Sequence, residues 1–372
     1  MKNRVFGKVG NSLEPLLKKG VEKGIFPAAA AGIASFVSGK EQKLIITAGK
    51  TRTDSQGISI NKNTLFDIAS LTKPLCTVLC LLCLIEKNKL NFTDELANLL
   101  PHKLPTDYRN ITLAQLLSHS AGLTAYKAFY TEYAPVYRSR SSQKLVKKIV
   151  REKLQYAPGS QCIYSDLGYI VLGAIIERVS GVSLDIFFKR EIAEKMGLDK
   201  KIMFRPLAEN NREKNIAATE KCPWRKRILQ GEVHDEHSWL LNGVAGHAGL
   251  FGSIEGVVSL GETILQVWQG RKRFPGFSRA LLNKALTRKY RERTWCLGFD
   301  TPSVAGSSAG GLISAQSVGH LGYTGTSIWI DPEKDMVVVL LTNRVHPTRT
   351  NEEIKKFRPF FHDAVFKAFT AP

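Results

Sequence analysis

Long apolar runs are missing from this chain. The most apolar window, PLCTVLCLLCLI at 74–85, is about twelve residues, where a helix needs roughly 20 to cross a bilayer. No membrane span is expected. The opening segment, MKNRVFGKVGNSLEPLLKKGVEKG, is charged and amphipathic and lacks the apolar centre of a secretory signal. On the sequence as given, the protein is expected to stay where it is made, in the cytoplasm. Cysteine is scarce: six in 372 residues, and the C-x-x-C pair Cys80/Cys83 lies inside the apolar run with no histidine nearby. Cys76, Cys80 and Cys83 recur at helical spacing and read as core, whereas Cys162, Cys222 and Cys296 are scattered. That usage fits a reducing compartment and argues against a disulfide framework or a cysteine zinc site. Repeats, low-complexity tracts and obvious linkers are also missing, so the length reads as one large domain or two ordinary ones.

Acidic residues are in deficit, 33 against 53 Lys and Arg, for a net charge of +20. Such a balance can mark a nucleic-acid binder. Here the basic residues are spread along the chain, with only short clusters: WRKR at 224–227, GRKRF at 270–274 and RKYRER at 288–293. No helix-turn-helix, zinc finger or aromatic RNP pattern accompanies them. The charge therefore reads as a generally basic surface able to attract anionic substrates, with no nucleic-acid partner.

What is present is an ordered alternation. FPAAAAGIASFVSG and KLIITAGK read as two strands around the polar turn GKEQ. Helical spacing follows in TKPLCTVLCLLCLIEKNKL, and in TLAQLLSHSAGL, capped by Thr112 and stopped at Gly122. SQKLVKKIVREKL, DLGYIVLGAIIERVSG (closed by Gly181) and IEGVVSLGETILQVWQG are further helices. Near the end, TGTSIWIDPEKDMVVVLLTN holds two strand runs around DPEKD, and EEIKKFRPFFHDAVFKAF is an amphipathic helix. Strands, then helices, then strands predict an α+β fold whose sheet is assembled from both termini.

The segment LFDIASLTKP carries the first chemical signal. Ser70 and Lys73 stand three apart where an apolar strand-like run turns into a helix. A serine hydroxyl is a poor nucleophile until its proton is removed. A lysine one turn on lies on the same helix face and can reach it. Partial desolvation lowers the lysine pKa, and the helix start offers free N–H groups for an oxyanion. Pro74 is tolerated only near a helix start, which places Ser70 at that entrance.

TLFDIASLTKPLCTVL resembles the nucleophile helix of the serine hydrolases related to class C β-lactamases, D-alanyl-D-alanine carboxypeptidases and family VIII esterases. APGSQCIYSDLGYIVLGAIIERVSG resembles their second element. It implies that Tyr164 shares proton transfer with Lys73 and that Asp166 takes the place usual for asparagine. VGHLGYTGTSIWIDP resembles the third, with His320 at the basic position, Gly322 letting substrate approach the strand edge, and the Tyr323 N–H completing an oxyanion hole with that of Ser70. GEVHDEHSWLLNGVAGHAGLFGS and LLTNRVHPTRTNEEIKKFRPFFHDAV look nearest to the branch holding N-acetylmuramyl-L-alanine amidases.

The resemblance implies a β-lactamase/transpeptidase-like fold, an antiparallel sheet flanked by helices plus a helical domain. Residues 1–66 and 285–372 would form the sheet part and 67–284 the mainly helical part. It implies a serine hydrolase acting through an acyl-enzyme on amide or ester bonds. The expected substrate is a muropeptide or related peptidoglycan fragment; a carboxylesterase or a β-lactamase-like, penicillin-binding protein is the alternative. No cofactor is expected. His234, Asp235, Glu236, His237 and His247 form a polar cluster without the i, i+4 histidine pair of a helix-borne zinc site, so no metal is assigned and the cluster is read as ordering a loop beside the cleft. His119 and the GHAG glycines read as fixing the backbone.

Overall fold

A computed structural model describes residues 2–37, 40–101, 103–133, 142–205, 214–288 and 293–370. Early strands among them are β1 (Ala28–Val37), β2 (Lys40–Gly49) and β3 (Leu65–Asp67). β4 (Ile202–Phe204), β5 (Lys221–Cys222), β6 (Arg227–Ile228) and β7 (Leu250–Ser253) follow. β8 (Val318–Leu321), β9 (Ser327–Asp331) and β10 (Met336–Thr342) lie near the end. The main sheet is antiparallel in the order β2-β1-β10-β9-β8, and a smaller one runs β3-β7-β4. Both ends of the chain thus meet at the β1–β10 seam, where Ala31 pairs with Leu340.

Alternation builds that seam. Met336, Val338 and Leu340 of β10 point into one apolar cluster, and Val337, Val339 and Leu341 into another. With both faces covered, the strand reads as one unbroken apolar run. Each fully buried side chain of this size is worth about 1.5–3 kcal/mol. On one face lie Val9, Leu13 and Leu17 of the helix Lys2–Glu22, with Phe357, Phe361 and Val365 of the C-terminal helix Ile354–Thr370. The opening segment, read only as charged and amphipathic, is therefore a helix of the fold. The other face is covered by the helix Ile254–Trp268, which packs on β1, β9 and β10. That helix comes from the 67–284 stretch assigned to the helical part, yet its apolar face belongs to the sheet.

Ala69–Glu86 forms one continuous helix. It opens with a 3-10 turn at Ala69–Leu71, widens to π turns over Lys73–Val78, and is α-helical over Leu79–Glu86. Counted whole, it is 18 residues and long and apolar enough to cross a membrane, but 83% of it is buried inside the protein. Cys76, Cys80 and Cys83 are fully buried in it, and all six cysteines are unpaired.

Other boundaries differ from the sequence reading for local reasons. The helix after Thr112 has the expected cap, reciprocated by Gln115, but ends at Leu117 rather than Gly122. His119 turns the chain with a left-handed φ of 56°. Lys40–Gln42 of GKEQ are already in β2, and residues 38–39 between the strands lie outside the described residues. So does most of RKYRER. The basic clusters are partly neutralised: Arg227 grips Glu232 with two hydrogen bonds of 2.8 Å, and Arg271 donates to Asp335 at 2.7 Å.

Asn343, just past β10 and 1% exposed, clamps the seam. Its Oδ1 accepts from Ala28 N at 2.9 Å, and its Nδ2 donates to Ala218 O at 3.0 Å and Thr51 O at 3.3 Å. Removing it deprives Ala28 N and Ala218 O of this partner, while Thr51 O keeps its bond from Ala218 N at 2.9 Å. Asn343→Ala should therefore destabilise by about 2–4 kcal/mol in urea unfolding. A loss under about 0.5 kcal/mol, the level of an ordinary surface change, would refute the clamp.

Candidate active site

The site is organised from Asp67, the last residue of β3. Its buried carboxylate accepts from Ala69 N at 2.8 Å and from His234 N at 2.7 Å. Ala69 is held at φ 47°, a left-handed conformation that its Cβ disfavours. Such strain costs on the order of 1–3 kcal/mol and persists only when neighbours enforce it. Thr324 Oγ1 donates to Asp67 O at 2.7 Å and Thr326 Oγ1 to Ile68 O at 3.1 Å, fixing the strand end from the β8–β9 turn. Ser70 follows, half-buried, on the floor of a cleft of about 650 Å³.

Lys73 is fully buried. Its Nζ stands 2.9 Å from Ser70 Oγ, 3.0 Å from His247 O and 2.6 Å from Asp166 Oδ1. Burial pulls its pKa below the ordinary lysine value, and the Asp166 carboxylate opposes that pull. Tyr164 donates its hydroxyl to the same Ser70 Oγ at 2.9 Å. Burial, followed by the Asp166 charge, pushes this phenol well above its ordinary pKa. The lysine is thus made easier to deprotonate and the tyrosine harder. Groups pushed apart in this way suit separate base and acid duties on one oxygen. Asp166 sits in the first turn of the helix Asp166–Ser180, where the helix dipole favours a carboxylate.

Ser70 and Tyr323 both line the cleft, and their backbone N–H groups have no protein acceptor among the described residues. Gly322 has a different task from the expected one. A Cβ there would stand 1.9 Å from Thr326 Oγ1 and 2.7 Å from Ile68 O, so the space is filled by the β8–β9 turn and the chain just before Ser70 rather than left for substrate. His320 also departs from expectation. It lies inside β8, 2% exposed, and burial with Lys73 nearby lowers its pKa to about 3. It is neutral at physiological pH and cannot act as the cation of the third element. Its Nδ1–H donates to Leu321 O at 2.7 Å, leaving Nε2 as an acceptor with no protein partner among the described residues.

The histidine-acid cluster divides. His234, Asp235, Glu236 and His247 line the cleft, whereas His237 is buried behind them. Asp235, His237 and His247 place donor atoms within 4.8 Å of one another, a grouping that could hold a metal ion. A 2.7 Å hydrogen bond between His247 Nε2 and Asp235 Oδ1 already accounts for that pair. The GHAG turn is more than backbone-fixing. Gly246 lets it lie against the helix Asp166–Ser180, where a Cβ would meet Tyr169 O at 2.2 Å, and this seats the His247 carbonyl on Lys73. His119 supports the second element: its Nδ1 accepts from Ser165 N at 3.0 Å, and its ring packs on Tyr164 at 4.6 Å.

Sequence reading missed Asp67 and Trp295. Asp67 is spelled out in LFDIAS, but nothing in the sequence says that both its oxygens are used on backbone. Trp295 stands 5.4 Å from the Tyr164 ring and 5.3 Å from that of His320, capping the motif residues from an unremarked loop.

The sequence model of the Beta-lactamase family matches residues 18–358. The chain belongs to that family. It is 31% identical over 307 residues to "N-acetylmuramyl-L-alanine amidase" of Bacillus subtilis (strain 168), covering 76% of this chain and 68% of the relative. It is 32% identical over 312 residues to "Putative D-alanyl-D-alanine carboxypeptidase" of Escherichia coli (strain K12), covering 78% and 71%. In fold it is similar to "EstCE1, a hydrolase with promiscuous acyltransferase activity" (TM-score 0.75, 21% identity, 97% of this chain and 99% of that one). It is also similar to the octameric penicillin-binding protein homologue from Pyrococcus abyssi (TM-score 0.71, 20% identity, 94% and 76%). The fold is the β-lactamase/transpeptidase-like one that the motifs implied.

A buried neutral histidine in this family member has a measurable consequence. The unfolded chain binds a proton at His320 below about pH 6.5, whereas the folded one does so only near 3. Its contribution is present above the unfolded pKa and is lost as pH falls from there toward 3. Thermal unfolding followed from pH 7 to 4 should show a falling midpoint, and His320→Gln should flatten part of that slope. An unchanged slope in the variant would mean that His320 is charged in the folded protein.

Proposed function

We propose that this β-lactamase-family protein is a serine hydrolase that acylates Ser70, with an amide of a peptidoglycan-derived peptide as substrate. The observation that carries the reading is the double contact on Ser70 Oγ, 2.9 Å from both Lys73 Nζ and Tyr164 Oη. Lys73 as neutral amine takes the serine proton as Oγ attacks the carbonyl carbon. The Ser70 and Tyr323 N–H groups receive the oxyanion. Tyr164 gives its proton to the leaving nitrogen and is reprotonated from Lys73. Water then attacks the acyl-enzyme, with the same groups running in reverse.

The substrate class is supported by the two relatives named as an N-acetylmuramyl-L-alanine amidase and a putative D-alanyl-D-alanine carboxypeptidase. A cleft with Tyr126, Trp295 and Tyr323 beside Arg344 and Lys355 can hold a sugar-peptide with acidic groups. An ester is the second reading, favoured by the neutral His320, which offers an acceptor where an anionic β-lactam would need a cation.

Incubation with an N-acetylmuramyl-L-alanyl peptide, a D-alanyl-D-alanine peptide and a neutral p-nitrophenyl ester, read by mass spectrometry, separates these. Cleavage at the muramyl–alanine amide is expected. Turnover of the ester alone would replace the amidase reading with the esterase one. Asp166→Asn removes the charge that holds the Lys73 pKa up, so the acidic limb of the kcat/KM profile should move to lower pH. A limb that moves upward would contradict Lys73 as base.

A further inference from the structure

Arg358, on the first turns of the C-terminal helix, is a buried cation without an acid. It is 6% exposed, and burial, followed by the nearby Arg344, lowers its pKa to about 10, with no carboxylate acting on it. Buried charges are normally paired, so an unpaired one invites a functional explanation. Its Nη2 donates to Gly322 O at 2.7 Å and to Thr326 O at 3.1 Å, while its Nε has no protein partner among the described residues.

Gly322 O is one end of the Gly322–Tyr323 peptide, and the Tyr323 N–H is the other. In a trans peptide the two point in opposite directions. Tying the carbonyl to Arg358, at one wall of the cleft, therefore turns the Tyr323 N–H away from that guanidinium, on a residue that also lines the cleft. A charged donor on the carbonyl also draws electron density from the amide and makes its N–H a stronger donor. The peptides on either side of it are held as well. Gly322 N donates to Thr326 O at 2.7 Å, and Arg344 Nε donates to Tyr323 O at 2.8 Å.

We propose that Arg358 is a positioning residue for acylation, which orients and polarises the Gly322–Tyr323 peptide so that the Tyr323 N–H stabilises the oxyanion formed at Ser70. The proposal rests on the acyl-enzyme reading above. It explains why a guanidinium at the cleft wall beside β8 and β9 has backbone carbonyls as its acceptors among the described residues.

The test compares the full-length protein with Arg358→Met and Arg358→Lys. Active sites are first counted by fluorophosphonate titration, so that misfolded material does not enter the rates. Loss of a whole oxyanion donor lowers kcat by about 10²–10³, so loss of its polarisation should cost roughly 10- to 100-fold. That fall should appear in kcat for a neutral ester, with KM within about twofold, and equally in affinity for a boronic acid analogue of the tetrahedral state. Arg358→Lys should keep part of both. In protein labelled with 15N-tyrosine, the Tyr323 amide nitrogen should move upfield in Arg358→Met. If kcat per titrated site and boronate affinity stay at the wild-type values, or if the Tyr323 resonance does not move in either variant, the proposal is overturned. A wild-type protein inert to every ester, amide and boronate would instead overturn the hydrolase reading, and the Tyr323 resonance would still decide whether Arg358 polarises the peptide.

Discussion

The site depends on an amine with no access to water. Lys73 is fully buried, and each of its contacts comes from a different part of the chain: Ser70 on its own helix, Asp166 on the helix Asp166–Ser180, and the His247 carbonyl on the GHAG turn. A buried ammonium is costly unless its protons are all accepted. These acceptors meet that demand and, in doing so, align the three segments. Burial weakens the grip on the third proton, which is what a general base near neutral pH requires. Asp166 works against that tendency and sets how far it goes.

Around this centre the structure accepts local strain and buried polarity. Ala69 has a left-handed φ, Asp67 and Arg358 are buried without a salt bridge among the described residues, and the helix carrying Lys73 is wound in π turns over Lys73–Val78. None of these choices favours stability by itself. Functional sites commonly depart from local rules in this way while the surrounding core supplies the excess. Here the excess comes from β10, whose two apolar clusters lock the termini into one sheet.

Much of this was legible in the sequence, for identifiable reasons. Ser70 and Lys73 are neighbours along a helix, so spacing alone brings them together. Tyr164 lies 94 residues away and emerged only through resemblance to related motifs. The sheet was legible because apolar strand runs around polar turns sit at both ends of the chain. Hidden features were those that depend on burial. His320 looks like a cation in VGHLGYTG, and only its position inside β8 makes it neutral. Gly322 suggested room for substrate, and the room is taken by Thr326 and Ile68. The helix Lys2–Glu22 showed its polar face in the composition, while Val9, Leu13 and Leu17 could be placed only against a sheet that closes far along the chain.

The central claim is that Lys73 and Tyr164 activate the Ser70 hydroxyl, and it is tested most directly by the mass of the intact protein after brief exposure to a fluorophosphonate. The account predicts one adduct per chain, carried on Ser70 and absent from Ser70→Ala, and formed at least about a hundredfold more slowly in Lys73→Ala. Equal labelling of the Ser70→Ala protein, or an adduct mapped to another residue, would contradict it.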